Sequence, residues 1–184
     1  MPNVIIKGVG SCIPDRVVPN SEFLNHVFYQ PDGTPYPDEN DVIIRKFEKI
    51  TGIKERRYAA PGQKASDLGA IAAERALAHA GISGDDLDYI IFAHNFGDMQ
   101  ASNNRIDMMP SLAARVKCAL DIQNPATSCY DIIFGCPGWV QGAIQASQMI
   151  RSGDAKHVMV IGGETLSQTT DPHDRDSMIF ADGA

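Results

Sequence analysis

Apolar positions along the chain change period between helix-like and strand-like spacing. Residues 4–9 (VIIKGV) predict a short strand, and the Gly, Pro and Asp of the following GSCIPDR are turn formers. Residues 29–40 (YQPDGTPYPDEN) are too rich in Pro, Gly and Asp for a regular element and predict a loop excursion. Over residues 41–50, Val42, Ile43, Ile44, Phe47 and Ile50 recur at helical spacing, and Gly52 ends the pattern. Ser66 predicts the cap of an Ala-rich helix that runs to Ala80 and closes at Gly81.

Residues 89–94 (YIIFAH) are a continuous apolar run of strand length, the pattern of a strand buried on both faces. A polar loop is predicted over residues 95–109, then a helix opening at Pro110 with Leu112, Ala113, Val116 and Leu120 on one stripe. Pro125 breaks the chain before an apolar stretch at 126–134. A helical pattern runs from Gly138 to Ser152, with Ala143, Ile144, Ala146, Ser147 and Ile150 on a narrow face and Gly153 as its stop. Residues 156–161 (KHVMVI) predict another buried strand. This alternation predicts an α/β chain with a largely parallel sheet, helices on both faces, and a site beyond the carboxyl ends of the strands.

Composition narrows the class. With 184 residues, 43% hydrophobic and 21% charged, and a mean hydropathy of -0.17, residues 1–184 have the profile of a single globular domain with a substantial core. A formal charge of -7 and an isoelectric point near 5.1 argue against nucleic acid or anionic membrane as partners, and leave small molecules and proteins. The opening MPNVIIKGVG has too short an apolar run for a signal peptide or a membrane span, so a cytoplasmic protein is expected. Cys12, Cys118, Cys129 and Cys136 contain no C-x-x-C pair, so reduced thiols and no metal site are expected. Cys12 and Cys118 read as packing residues.

Cys136 stands in a different context. In YDIIFGCPGWVQG (residues 130–142) an apolar strand runs into Gly135 and Cys136, and a Pro-Gly pair then opens a helix. A cysteine at a helix N-terminus meets unpaired N–H groups and the positive end of the dipole, which favour thiolate over thiol. The small neighbours Gly135 and Gly138 leave room for an acyl thioester and for N–H groups to face its oxygen. On these residues alone, a small buried cysteine at a strand–helix junction is an equal alternative.

The wider pattern separates the two. The opening IIKGVGSCIPDRVVPNSEF, the block TGIKERRYAA at 51–60, Pro110-Ser111, the cysteine block, and TDPHDRDSMIFADGA at 170–184 stand in order. With them the chain resembles, over nearly all its length, the β-ketoacyl-acyl-carrier-protein synthase III family of the thiolase fold. The resemblance implies the N-terminal half of a thiolase-like fold, layered helices around a largely parallel mixed sheet. It also implies a two-step reaction in fatty-acid synthesis. The cysteine takes an acyl group from acyl-CoA, and malonyl-carrier protein then decarboxylates and attacks it.

By that resemblance Cys136 is the acyl acceptor and its own N–H is one oxyanion donor. Arg175 contacts the nucleotide part of CoA, and Met109 crosses a homodimer interface to close the partner's acyl pocket. Trp139 either lines the pocket or anchors its helix, and anchoring is the favoured reading. Acyl-CoA is a substrate, no permanently bound cofactor is expected, and acyl carrier protein is a partner. The family's His and Asn, which activate the thiol and support decarboxylation, lie in a second half that is expected to be supplied by further sequence; this chain by itself is expected to be inactive. His94 is the best placed of the five histidines for an internal base, but a structural role is the stronger reading. His26, His79, His157 and His173 read as ordinary solvated or hydrogen-bonded side chains.

The sequence departs from the family at the adenine clamp, where Lys46 and Ile50 stand in place of the usual Trp and Arg. The 29–40 excursion and the 95–109 loop are longer than in the simplest members. Two alternatives stay open: another thiolase-fold condensing enzyme, such as a hydroxymethylglutaryl-CoA-synthase-like or non-decarboxylating one, and a non-catalytic half-domain that supports dimerisation.

Overall fold

The computed structural model describes residues 3–100 and 105–184. In chain order it has β1 (Arg16–Pro19), α1 (Asn40–Thr51), β2 (Glu55–Tyr58), α2 (Ala65–Ala80), β3 (Tyr89–His94), β4 (Asp98–Gln100), β5 (Arg105–Asp107), α3 (Leu112–Ala119), β6 (Ser128–Ile133), α4 (Gly138–Ser152), β7 (Val158–Gly162), β8 (Glu164–Thr165) and β9 (Asp182–Gly183).

The central sheet is parallel, in the order β6-β3-β7. β3 is the middle strand, and Ile90, Ile91 and Phe92 are fully buried, which is why its sequence is apolar without alternation. Helices α2 and α3 pack together on one face, over a core of Phe92, Leu112, Ala113, Val116, Met159 and Ile161. Helix α4 covers the other face. It rests there on Gly138, Gly142 and Ala146, one residue per turn. A Cβ at Gly142 would lie 2.7 Å from Val160 Cγ1, so this residue sets how closely helix and sheet approach.

A second layer joins the TGIKERR block to the chain's closing residues. β1 and β2 pair antiparallel. Arg56 on β2 is buried, and its guanidinium donates to Met178 O, Val18 O and Asn20 Oδ1 at 3.0, 3.0 and 2.6 Å, with Phe23 and Phe47 packed against it. Burial pushes its pKa down from the usual arginine value. Asp182 is buried as well and accepts from Ala59 N, Ser167 N and Ser167 Oγ. The ERR and F-x-D-G-A motifs are thus polar fasteners that tie segments distant in sequence.

The α/β architecture, the buried β3, helix α4 and the left-handed glycines closing α1, α2 and α4 agree with the sequence reading. Four local expectations are corrected. Residues 4–9 form no strand: no ladder runs beside them among the described residues, and they cross α2 instead, held by Val9 N–H donating to His79 Nδ1 and by Arg75 donating to Ser11 O. Ser66 does not cap α2; the helix begins at Ala65, and the Ser66 N–H and hydroxyl donate to the buried Asp98 carboxylate. Pro110 precedes α3 through a cis bond to Met109, while Ser111 is the cap and accepts from Ala114 N. The loop at 95–109 contains the antiparallel pair β4–β5, clamped by Arg115, which donates to Asp98 at 2.8 Å and Asp107 at 2.6 Å. Those hydrogen bonds hold the Asp107 carboxyl below its usual range. Residues 101–104 of that loop lie outside the described residues.

Candidate functional site

The site is built where β6 turns into α4, at the carboxyl end of the parallel sheet. After Ile133, the chain turns through Gly135 at φ +74°, a backbone conformation that a side chain disfavours, and Gly138 N–H closes the turn onto Gly135 O. Cys136 lies at the crest of that turn, exposed, with Pro137 as the cap residue of α4. Among the described residues, no acceptor takes the Cys136 N–H. The thiol is therefore presented to solvent at the start of a 15-residue helix, and the small-buried-residue alternative does not hold.

The turn is seated on the neighbouring strands. A Cβ at Gly138 would lie 3.1 Å from Ala93 Cβ at the end of β3, and one at Gly162 would lie 3.2 Å from Trp139 Cβ at the end of β7. Trp139 also donates from its indole nitrogen to Val160 O at 3.3 Å, which anchors the first turn of α4 to β7 as the sequence reading favoured. Around the cysteine, Ile133, Phe134, Trp139, Val140 and Ile144 leave apolar surface exposed.

His94 ends β3 beside this turn, in register with Ile133. Gly97 N–H donates to its Nδ1 at 3.0 Å, so the ring proton sits on Nε2, which donates to Asp131 Oδ2 at 3.1 Å. Asp131 also accepts from Leu112 N at 2.7 Å and Ala113 N at 2.9 Å, the first turn of α3. Both ring nitrogens are occupied and the side chain is buried, so His94 is a structural link between β3, β6 and α3. Sequence reasoning did not single out Asp131. Its signal was a lone carboxylate within the apolar run YDIIF, which demands a set of buried donors.

The other expected residues are not brought to the cysteine by any contact in the structure. Met109 is 83% exposed, so it is not a core methionine, and its neighbours Ile106 and Met108 are exposed too. Arg175 lies in the 3-10 turn Arg175–Ile179, half-exposed, with its guanidinium 4.8 Å from the centre of the Tyr36 ring and its Nε donating to Asp176. Tyr36 comes from the 29–40 excursion, which therefore folds back over the 170s segment; Tyr29 N–H donating to His173 O adds a second tie. Lys46 pairs with Asp38, and Ile50 is exposed. One acid at the carboxyl end of the sheet went unremarked in the sequence: Glu164, whose carboxylate accepts the Asn95 N–H and whose pKa is pushed up by burial. Among the described residues, no cluster of His, Cys, Asp and Glu could hold a metal ion, and no helix is long and apolar enough to cross a membrane.

Comparison with known proteins gives these features a context. A family model described as 3-oxoacyl-[acyl-carrier-protein (ACP)] synthase III matches residues 130–184, which hold the cysteine turn, β7 and the D-G-A block. The beta-ketoacyl-[acyl-carrier-protein] synthase III of Cereibacter sphaeroides is 38% identical over 181 residues, 98% of this chain and 49% of the relative. The protein of the same name from Ruegeria pomeroyi gives the same identity and coverage. The crystal structure of 3-oxoacyl-[acyl-carrier-protein] synthase III from Aquifex aeolicus superposes with a TM-score of 0.76 at 30% identity, over 97% of this chain and 50% of that one. The chain spans about half the length of the curated relatives it matches.

Proposed function

We propose that this chain, similar over nearly all its length to about half of the 3-oxoacyl-acyl-carrier-protein synthase III relatives, supplies the nucleophile of a decarboxylative condensing enzyme. The observation that carries this reading is the exposed Cys136 at the N-terminus of α4. In the first step the Cys136 thiolate attacks the carbonyl of an acyl-CoA, a C–S bond forms, and CoA leaves as its thiolate. In the second, a malonyl thioester on carrier protein loses carbon dioxide, and the resulting carbanion attacks the acyl-cysteine carbonyl and expels Cys136. Covalent catalysis divides one difficult step into two. The unclaimed Cys136 N–H supports a role as oxyanion donor in both.

His94, the histidine beside the Cys136 turn, is not free to act as its base, since both ring nitrogens are engaged. The groups that activate the thiol and assist decarboxylation belong, in this reading, to a second half that covers the cysteine. The apolar surface left by Ile133, Phe134, Val140 and Ile144 supports that cover, as do Ile5 and Ile6, 76% and 77% exposed on a segment with no strand beside it among the described residues. Arg175 takes the nucleotide end of CoA, where the adjacent Tyr36 offers an aromatic face. The exposed Met109 reaches the acyl pocket of a second copy in a homodimer. The reading places the enzyme in the cytoplasm, with no resident cofactor.

The test is turnover of the complete enzyme with acyl-CoA and malonyl-carrier protein. Cys136→Ala abolishes acyl transfer and condensation while leaving the fold intact by circular dichroism. Condensation that survives the substitution refutes the assignment.

A further inference from the structure

Glu164 lies at the same end of the sheet as Cys136, two strands away across β3. The first turn of α4 rests on Ala93 and Gly162, the last residues paired between β3 and β7. Immediately beyond that seat the two strands stay joined: Gly163 N–H donates to Ala93 O at 3.1 Å, and the N–H of Asn95, the first residue past β3, is taken by the Glu164 side chain. The carboxylate therefore serves as the acceptor where main-chain pairing between the strands ends. Past it the β3 chain turns through Gly97 at φ +71° into β4, and the β7 chain passes into β8.

We propose that Glu164 is a positioning residue for the nucleophile: by tying Asn95 to the end of β7 it holds together the two strand ends on which the Cys136 turn is seated. The inference rests on the reading of Cys136 as acyl acceptor. It is independent of the residues that complete the active site from elsewhere.

Burial sets the charge of this acid against stability. Burial pushes its pKa up, while Asn95 and the nearby His94 ring favour the carboxylate and Asp182 disfavours it. His94 from β3 and Asp182 from β9 are the titratable groups that face it. A raised acid binds its proton more tightly in the folded chain than in the unfolded one. Its contribution to stability therefore falls as pH rises above the ordinary glutamate value of 4.5. Near neutrality the folded protein carries a half-buried carboxylate at a cost. A neutral amide of the same shape keeps an oxygen for Asn95 N–H and removes that cost, and it also removes the charge that strengthens the bond.

Glu164→Gln separates the two roles. In the complete enzyme near neutral pH, the variant melts at the wild-type temperature or above it, while kcat/KM for acylation of Cys136 by acyl-CoA falls about tenfold, the scale of a lost charge-assisted hydrogen bond. Wild-type activity also declines on acidification as Glu164 protonates, and the variant lacks that limb of the pH profile. A lowered melting temperature with unchanged kcat/KM per folded molecule, or kinetics and pH profile equal to wild type, overturns the proposal. If the glutamine variant does not fold, Glu164→Asp decides: retention of the acid limb supports the proposal and its loss overturns it. Mass spectrometry of the wild type after acyl-CoA treatment keeps the failures distinct. No acyl group on Cys136 refutes the functional reading, whereas labelled wild type beside a fully active glutamine variant refutes only the role of Glu164.

Discussion

Replacing Asp131 with asparagine tests the polar link beneath the site. The carboxylate receives three donors, Leu112 N–H and His94 Nε2–H on Oδ2 and Ala113 N–H on Oδ1. An asparagine has one acceptor oxygen. If that oxygen replaces Oδ2, the bonds to Leu112 and His94 survive, and the amide nitrogen points its own hydrogens at the Ala113 N–H. A buried donor left without an acceptor costs about 1–3 kcal/mol. Removing the negative charge from the first turn of α3 costs about 0.3–1 kcal/mol more. The expected loss is therefore about 1–4 kcal/mol, a large share of the ~5–15 kcal/mol that holds a typical domain. Urea unfolding followed by far-UV circular dichroism measures it, with the slope unchanged and the midpoint lowered. A companion variant, His94→Gln, loses stability but keeps acylation of Cys136 in its folded fraction, because His94 is a link and not a base. A stability for Asp131→Asn within about 0.5 kcal/mol of wild type refutes the capping network, since that is the range of an inconsequential surface change.

Two further outcomes follow from the geometry. Gly142→Ala gains about 1 kcal/mol of helix propensity but drives a methyl group against Val160, where overpacking costs about 1–3 kcal/mol; its urea midpoint falls and Cys136 acylation slows, and a variant more stable than wild type contradicts the close seat of α4. Asp88 accepts the Lys156 and His157 N–H groups, which hold its pKa below the ordinary 3.8, so its contribution is present above that pH and is lost as pH falls further. Asp88→Asn is accordingly less stable at neutral pH and shows a shallower loss of stability on acidification below about pH 4, read from melting temperatures across pH.

Much of the fold was legible because period and punctuation agreed. β3 is a run of five apolar or small residues closed by His94, with both faces covered, and α4 is bracketed by a Pro-Gly pair and a left-handed glycine. Residues 4–9 look as much like a strand as β3 does, but a strand is defined by its neighbours, and none lies beside this segment among the described residues. Ser66 has the chemistry of a cap, yet Asp98, thirty-two positions away, takes its hydroxyl. The antiparallel pair β4–β5 is short and carries little pattern of its own; Arg115 from α3 fixes it through two carboxylates, a pairing that no local window reveals.

The site divides along the same line. Cys136 and its helix N-terminus are local features, since Gly-Cys-Pro-Gly specifies a turn within four positions. The support beneath it is not local. Asp131, Asp182 and Glu164 act on donors 15 to 123 positions away, and only the assembled chain shows that each carboxylate meets main-chain N–H groups. Arg175 beside Tyr36 is a similar case, because the 29–40 excursion that supplies the ring read only as a break in regular structure.

The central claim, that Cys136 receives the acyl group, is tested most directly by peptide mass spectrometry of the complete enzyme after incubation with acyl-CoA and no malonyl-carrier protein. The account predicts a single acyl mass on the peptide containing Cys136, released by hydroxylamine as a thioester is, and none on Cys12, Cys118 or Cys129. An acyl group on any other residue, or an unmodified Cys136 in enzyme that still condenses, contradicts it.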